Sequence, residues 1–157
     1  MHIKLLSVCR RPIVVGLACG IALTGAFFLG QAQAQQQAAA FTLAKPALLY
    51  VFIKPDKNAD YEAIVNKLKE ALQKTDKAEL KQAAGGWKIY KADAPSNNNT
   101  LYVHVIDPPA ATADYGVMKI LYDAFPAEAQ AIFTQYKEAF VGQGPPVTMT
   151  LVADLGK

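Results

Sequence analysis

His104 is the one histidine in the chain besides His2, and it stands next but one to Tyr102 in the alternating run Thr100–Ile106, TLYVHVI. Imidazole is the side chain whose ordinary pKa lies nearest neutrality, so His104 is the candidate general base for removing a proton from a phenolic substrate. Tyrosines 50, 90 and 102 are its candidate hydrogen-bond partners. If residues 47–54 (ALLYVFIK), 87–91 (WKIYK) and 100–106 are strands, successive side chains alternate between two faces. Leu49, Val51, Ile53, Trp87, Ile89, Leu101, Val103 and Val105 then form the core side. Tyr50, Phe52, Lys88, Tyr90, Tyr102 and His104 form the other, a candidate ligand-binding or dimer face with His104 as its catalytic residue. The alternative for His104 is a histidine satisfied inside a dimer interface.

The other spacings are weaker. Tyr115-Gly-Val-Met-Lys119 has the Tyr-x-x-x-Lys spacing of short-chain dehydrogenases, but no glycine-rich phosphate loop accompanies it, so nothing would hold a dinucleotide. Tyr115 fits an apolar helix stripe and Lys119 the solvent side. Asp107 and Asp114 flank the exit of the third strand, where strand-end and helix-cap duties suit them better than acid–base work. One histidine without a neighbouring cysteine supplies too few ligands for a structural zinc centre, unless two His104 side chains meet across a two-fold axis. No metal and no cofactor is expected.

Charge narrows the partners. Residues 1–34 carry three of the sixteen basic residues and none of the thirteen acidic ones, so the remainder holds thirteen of each sign and no arginine. Without a basic surplus nucleic acid is excluded as a partner, and anion recognition would fall to lysine or backbone amides. The segment itself reads as an export signal. His2, Lys4, Arg10 and Arg11 precede an uncharged run from Pro12 to Leu29, and small residues at Ala32 and Ala34 place a cut before Gln35. The uncharged run is also close to the roughly 20 residues that span a bilayer, so a retained anchor would be the only route to a membrane. Arg10-Arg11 and Cys19 admit twin-arginine and lipoprotein readings, each lacking part of its usual flank. Periplasmic or secreted location follows, and both cysteines, Cys9 and Cys19, leave with the signal.

Residues 35–45 read as a disordered leader and 46–157 as a single domain. Within it, Asn58 is a candidate N-cap for a helix whose apolar stripe is Tyr61, Ile64, Val65, Leu68 and Leu72. Asp76 and Glu79 open a shorter helix that Gly85-Gly86 ends. Residues 93–99, DAPSNNN, are turn chemistry, making the second and third strands a hairpin. A second helical region begins at Thr112 or Asp114, is interrupted at Pro126, and is closed by Gly142 and Gly144. Residues 147–153, VTMTLVA, alternate as the fourth strand. The order predicts an α+β, ferredoxin-like βαββαβ domain: a four-stranded antiparallel sheet with helices on one face and the other face open.

The turn Ile53-Lys54-Pro55-Asp56-Lys57, followed by Asp60-Tyr61-Glu62 opening an amphipathic helix, resembles the dimeric α/β-barrel superfamily, which includes antibiotic-biosynthesis monooxygenases. The resemblance covers roughly residues 46–154 and implies a homodimer whose sheets pack face to face. Some members oxidise quinols or aromatic polyketides without a bound cofactor. Others degrade haem with a histidine on the second helical region, where this chain has none. Aromatic side chains bury about 150–250 Å² each, so the open face is expected to be covered by a second subunit or a small aromatic ligand. Two function classes follow: an exported homodimer that binds a small hydrophobic molecule or a protein, and a cofactor-independent monooxygenase-like or isomerase-like enzyme using His104 with the sheet tyrosines.

Overall fold

The structure, a computed structural model, describes residues 39–156, so the segment expected to be an export signal and the first part of the expected leader lie outside the described residues. Strand β1 (Ala47–Ile53) is followed by one 3-10 turn (Pro55–Lys57) and helix α1 (Asn58–Lys74). Helix α2 (Ala78–Gly86) runs straight into β2 (Trp87–Lys91), and β3 (Thr100–Ile106) returns beside it. Helices α3 (Val117–Ala124) and α4 (Ala129–Ala139) lead into β4 (Phe140–Gln143) and the two-residue β5 (Val147–Thr148). The fold is α+β, with one five-stranded antiparallel sheet ordered β2-β3-β1-β4, β5 pairing with β1 beyond β4.

The apolar stripe of α1 is buried as its period requires: Tyr61, Ile64, Leu68, Ala71 and Leu72 face inward. They meet Leu49, Val51 and Ile53 of β1 and Ile120, Leu121 and Ile132 of α3 and α4. Proline 126 falls in the break between α3 and α4, where its ring and missing amide end the first helix without disrupting either interior. The segment expected to be a leader joins the core before residue 46. Leu43 is buried, the Phe41 amide donates to Asp114 Oδ1 at 3.0 Å, and the Tyr115 amide donates back to the Phe41 carbonyl at 2.8 Å.

The fourth strand is displaced from its expected place. Phe140–Gln143, not 147–153, forms β4, and Gly142 lies within it rather than closing a helix. The ladder starts as soon as α4 ends, with Lys54 N–H donating to the Ala139 carbonyl at 3.0 Å. Ile53 pairs with Phe140 and Phe52 with Gly142, so Val141 is the extra residue of a bulge. Pro145 and Pro146 then interrupt the edge, which resumes only for Val147 and Thr148. Beyond them residues 149–153, the rest of the expected fourth strand, belong to no strand, and Leu151, Val152 and Leu155 are 78, 97 and 96% exposed.

Two helix ends also differ from expectation. Asn58 is the first residue of α1 rather than its cap, and Lys57, at the cap position, makes no side-chain capping bond. Lys77, not Asp76, precedes α2. Gly85 and Gly86 are not left-handed. Gly86 is there for space, because a Cβ on it would lie 2.1 Å from the Pro108 carbonyl oxygen.

Candidate functional site

Antiparallel register fixes which side chains share a face. Leu49 and Ile89 both lie opposite His104, Val51 opposite Tyr102, and Trp87 opposite Ile106. Tyr102, His104 and Ile106 therefore point to the helices together with the β1 and β2 core residues, and all three are buried. The assignment of Leu101, Val103 and Val105 to the core is reversed. Both faces of this strand are apolar enough to be buried, and the packing of β1 and β2 decides which one is. Tyr50, Phe52, Lys88 and Tyr90 do share the open face, now with Leu101, Val103 and Val105 as neighbours, so the six candidate residues divide into four and two.

His104 is 2% exposed and held at both nitrogens. Trp87 Nε1–H donates to Nδ1 at 3.2 Å, and Nε2 lies 2.9 Å from Tyr61 Oη. Indole nitrogen only donates, so Nδ1 must be bare. In the neutral ring the proton is on Nε2, which donates to the Tyr61 oxygen. Burial disfavours the charged ring and lowers the His104 pKa to about 4. The Tyr61 hydroxyl is pushed up, first by burial and then by its neighbours Tyr136 and Tyr102, so it keeps its proton. That proton has no acceptor among the described residues. The sequence concealed Tyr61 because it sits on the apolar stripe of α1, 43 positions from His104. The signal available was a phenol on a core stripe, whose hydroxyl must find a partner.

Tyr61 and His104 line a cavity of about 450 Å³ that opens between the sheet and the helical layer. Its walls include Phe41, Leu49, Val51, Val117 and Met118, with Gln143 from β4 and Asp114 and Lys119 as the charged pair. Lys119 Nζ is 3.0 Å from Asp114 Oδ2, while Asp114 Oδ1 accepts the Gly116 and Phe41 amides at 2.9 and 3.0 Å. Burial opposes ionisation of Asp114, but these donors outweigh it and hold the pKa below the usual range. The Tyr115–Lys119 pair is thus not a catalytic couple: Lys119 serves Asp114, and the Tyr115 hydroxyl accepts the Ala110 amide at 2.7 Å. No protein-family model, curated protein or solved structure matches the chain. The site has to be read from its own geometry.

Two further aromatic rings, Tyr115 and Tyr102, back the hydrogen-bonded relay Trp87–His104–Tyr61. Trp87 packs edge-on against Tyr115 at 5.2 Å and lies 5.8 Å from the His104 ring, and Tyr61 leans on Tyr102 at 4.6 Å. Tyr102 donates to Glu62 Oε1 at 2.8 Å, which also receives Lys91 Nζ at 3.0 Å, so this hydroxyl is occupied away from His104. Tyr136 also lines the cavity, and burial raises the pKa of its hydroxyl. Among the described residues no three His, Cys, Asp or Glu side chains converge to hold a metal ion. Tyr115→Phe should cost about 2 kcal/mol, because it strands the buried Ala110 amide. Urea denaturation checks this: the midpoint should fall with an unchanged slope.

Proposed function

We propose that the chain is an exported binding protein that holds a small, flat, largely apolar molecule in the cavity over Tyr61, and that the ligand presents a hydrogen-bond acceptor to that hydroxyl. The observation that carries this reading is the direction of the relay. Trp87 fixes the His104 tautomer, His104 fills the Tyr61 lone pair, and the remaining Tyr61 proton is left for a guest. A cavity of about 450 Å³ is of the size that small-molecule sites use, apolar walls with a few convergent polar groups.

The alternative, a cofactor-independent enzyme with His104 as general base, is less well supported by the same geometry. The Nδ1 lone pair is taken by Trp87 and the other nitrogen carries the proton. An imidazole with a pKa near 4 is also a weak base at neutral pH. His104 is proposed here as a positioning residue.

The strand order and the placement of all core-facing strand residues toward the helices support a ferredoxin-like domain of the dimeric α/β-barrel kind. The open face supports a homodimer. Leu48, Tyr50, Phe52, Leu101, Val103 and Val105 are all part-exposed, and Tyr90 is exposed at its edge, an apolar patch that a monomer would leave in water. The composition of residues 1–34 supports a periplasmic or secreted location.

Trp87 is the single tryptophan, so its fluorescence reports directly on the His104 environment. Fluorenone, a flat aromatic ketone, is expected to bind about 5- to 10-fold more tightly than fluorene, the hydrocarbon of the same outline, because one neutral hydrogen bond is worth about 1 kcal/mol. Tyr61→Phe should erase that difference while leaving fluorene binding in place. Equal binding of the two compounds by the unaltered protein, or binding of neither, sinks the proposal.

A further inference from the structure

We infer that the molecule held over Tyr61 is an acid, a flat aromatic ketone whose carboxylate sits on the Lys119 ammonium at the cavity mouth while its ketone oxygen accepts from Tyr61 at the closed end; this rests on the ligand cavity proposed above. The two anchors lie at different depths of one cavity. Tyr61 and its partner His104 are 3 and 2% exposed, whereas the Lys119 side chain is 44% exposed, and all three line the same space. The charged residues on its wall are Lys119 and Asp114.

Donors and acceptors in the cavity set the sign of the ligand's charge. Asp114 is already served: Oδ1 accepts the Phe41 and Gly116 amides at 3.0 and 2.9 Å, and Oδ2 takes Lys119 Nζ at 3.0 Å. An incoming ammonium would have to displace Lys119 to reach it. The Lys119 ammonium has N–H donors beyond the one it gives Asp114, so it can hold a second carboxylate without releasing the first. His104 has both nitrogens engaged, and Tyr61 has a proton to give. The cation at the mouth and the phenol at the closed end therefore both meet a guest as donors, which suits a molecule with an acceptor at each end.

Helix α3 adds positive potential at the same end. Its first turn, Val117 to Lys119, lines the cavity. The first hydrogen bond inside the helix runs from the Ile120 amide to the Gly116 carbonyl at 3.0 Å, and Gly116 brings no capping side chain. The amides of Val117, Met118 and Lys119 lie ahead of that bond, at the positive end of the helix dipole. Side-chain charge along α3 runs against the dipole. The first turn holds Lys119 and no acidic residue, and Asp123, near the other end, is paired with Lys77 at 2.9 Å. A lysine at a helix start is opposed by the dipole, and a bound anion relieves that opposition. Residues 35–157 contain no arginine, so a lysine beside free backbone amides is the kind of anion site this chain is able to build.

The test titrates the 1-, 2- and 4-carboxylic acids of fluorenone into the full-length protein at pH 7, read by Trp87 fluorescence. At least one isomer should bind about 5- to 10-fold more tightly than fluorenone, as a charge-assisted hydrogen bond at a partly exposed site allows. Its methyl ester should lose that gain. Lys119→Gln should bring the ratio of acid to ketone affinity close to one, and Lys119→Arg should keep it. Asp114→Asn should raise the ratio, because the amide oxygen still accepts from Phe41 and Gly116 while the competing negative charge is gone. If no isomer outbinds fluorenone while fluorenone still outbinds fluorene, the acid site is overturned and the reading of Tyr61 as a donor stands. An ester that binds as tightly as the acid, or an acid preference that survives Lys119→Gln, overturns it as well. Equal binding of fluorenone and fluorene removes both together.

Discussion

Acidification from pH 6.5 to pH 4 should cost the native state about 3 kcal/mol through His104 alone, a figure that follows from the 1.36 kcal/mol carried by each unit of pKa difference. Burial lowers the folded-state pKa from 6.5 to about 4. Between those values the unfolded chain binds the proton and the folded chain does not, so stability rises with pH across this window. It is fully present above about pH 6.5 and lost as pH falls toward 4. Other groups act lower. Glu62, Glu70, Asp60 and Asp114 all have lowered pKa values, so their contributions disappear only as pH falls below the ordinary carboxylate range. Urea midpoints measured between pH 5 and 6.5 therefore isolate the imidazole. In His104→Gln the amide oxygen can accept from Trp87 and its nitrogen donate to Tyr61 without titrating. The slope in this window should then vanish. A slope that survives the substitution places the titrating group elsewhere.

Gly86→Ala should cost about 3 kcal/mol or more and lower the melting temperature by roughly 10 °C. The added Cβ would sit 2.1 Å from the Pro108 oxygen and 3.1 Å from the carbonyl carbons of Asp107 and Pro108. All three are backbone atoms, so no rotamer change relieves the contact. The neighbouring segments are also tied together, since the Asp107 amide donates to the Gly86 carbonyl at 2.8 Å. Because Gly86 opens directly into β2, a shift there moves Trp87 and loosens the Nδ1 bond to His104. Gly85→Ala is the control. Nothing lies within 4 Å of its added methyl, and in a helix alanine is favoured over glycine, so that variant should be neutral or slightly more stable. Equal melting temperatures for the two variants would contradict the packing described at Gly86.

The parts of the fold that could be read from the residue order are those where one periodicity has no rival. The α1 stripe from Tyr61 to Leu72 and the β1 alternation of Leu49, Val51 and Ile53 are of this kind, and Trp87 with Ile89 fits the same core. Strand β3 misled because both its faces are apolar, and its orientation depends on partners 43 and 17 positions away that no local pattern contains. A histidine is acceptable in a core when both nitrogens are satisfied, and here one helix and one strand supply the two partners. The fourth strand was hidden by contrast: VTMTLVA alternates more strongly than FVGQ, yet Pro145 and Pro146 break the edge between them.

The site changes character with the face of His104. As an open-face residue it stood beside Tyr50 and Tyr90 as a solvent-reachable base. As a buried residue it is one link between Trp87 and Tyr61, and the group offered to a ligand is the phenol. The open face is where we propose assembly, and the cavity is where we propose binding.

Nitrogen chemical shifts of the His104 ring, taken from protein labelled with ¹⁵N-histidine at pH 7, test this relay most directly. The account predicts a neutral ring with Nδ1 bare and Nε2 protonated, converting to the charged form only near pH 4. A ring protonated at Nδ1, or one carrying both protons at pH 7, would contradict it, because either state leaves Trp87 without an acceptor and breaks the chain of donors that ends at Tyr61.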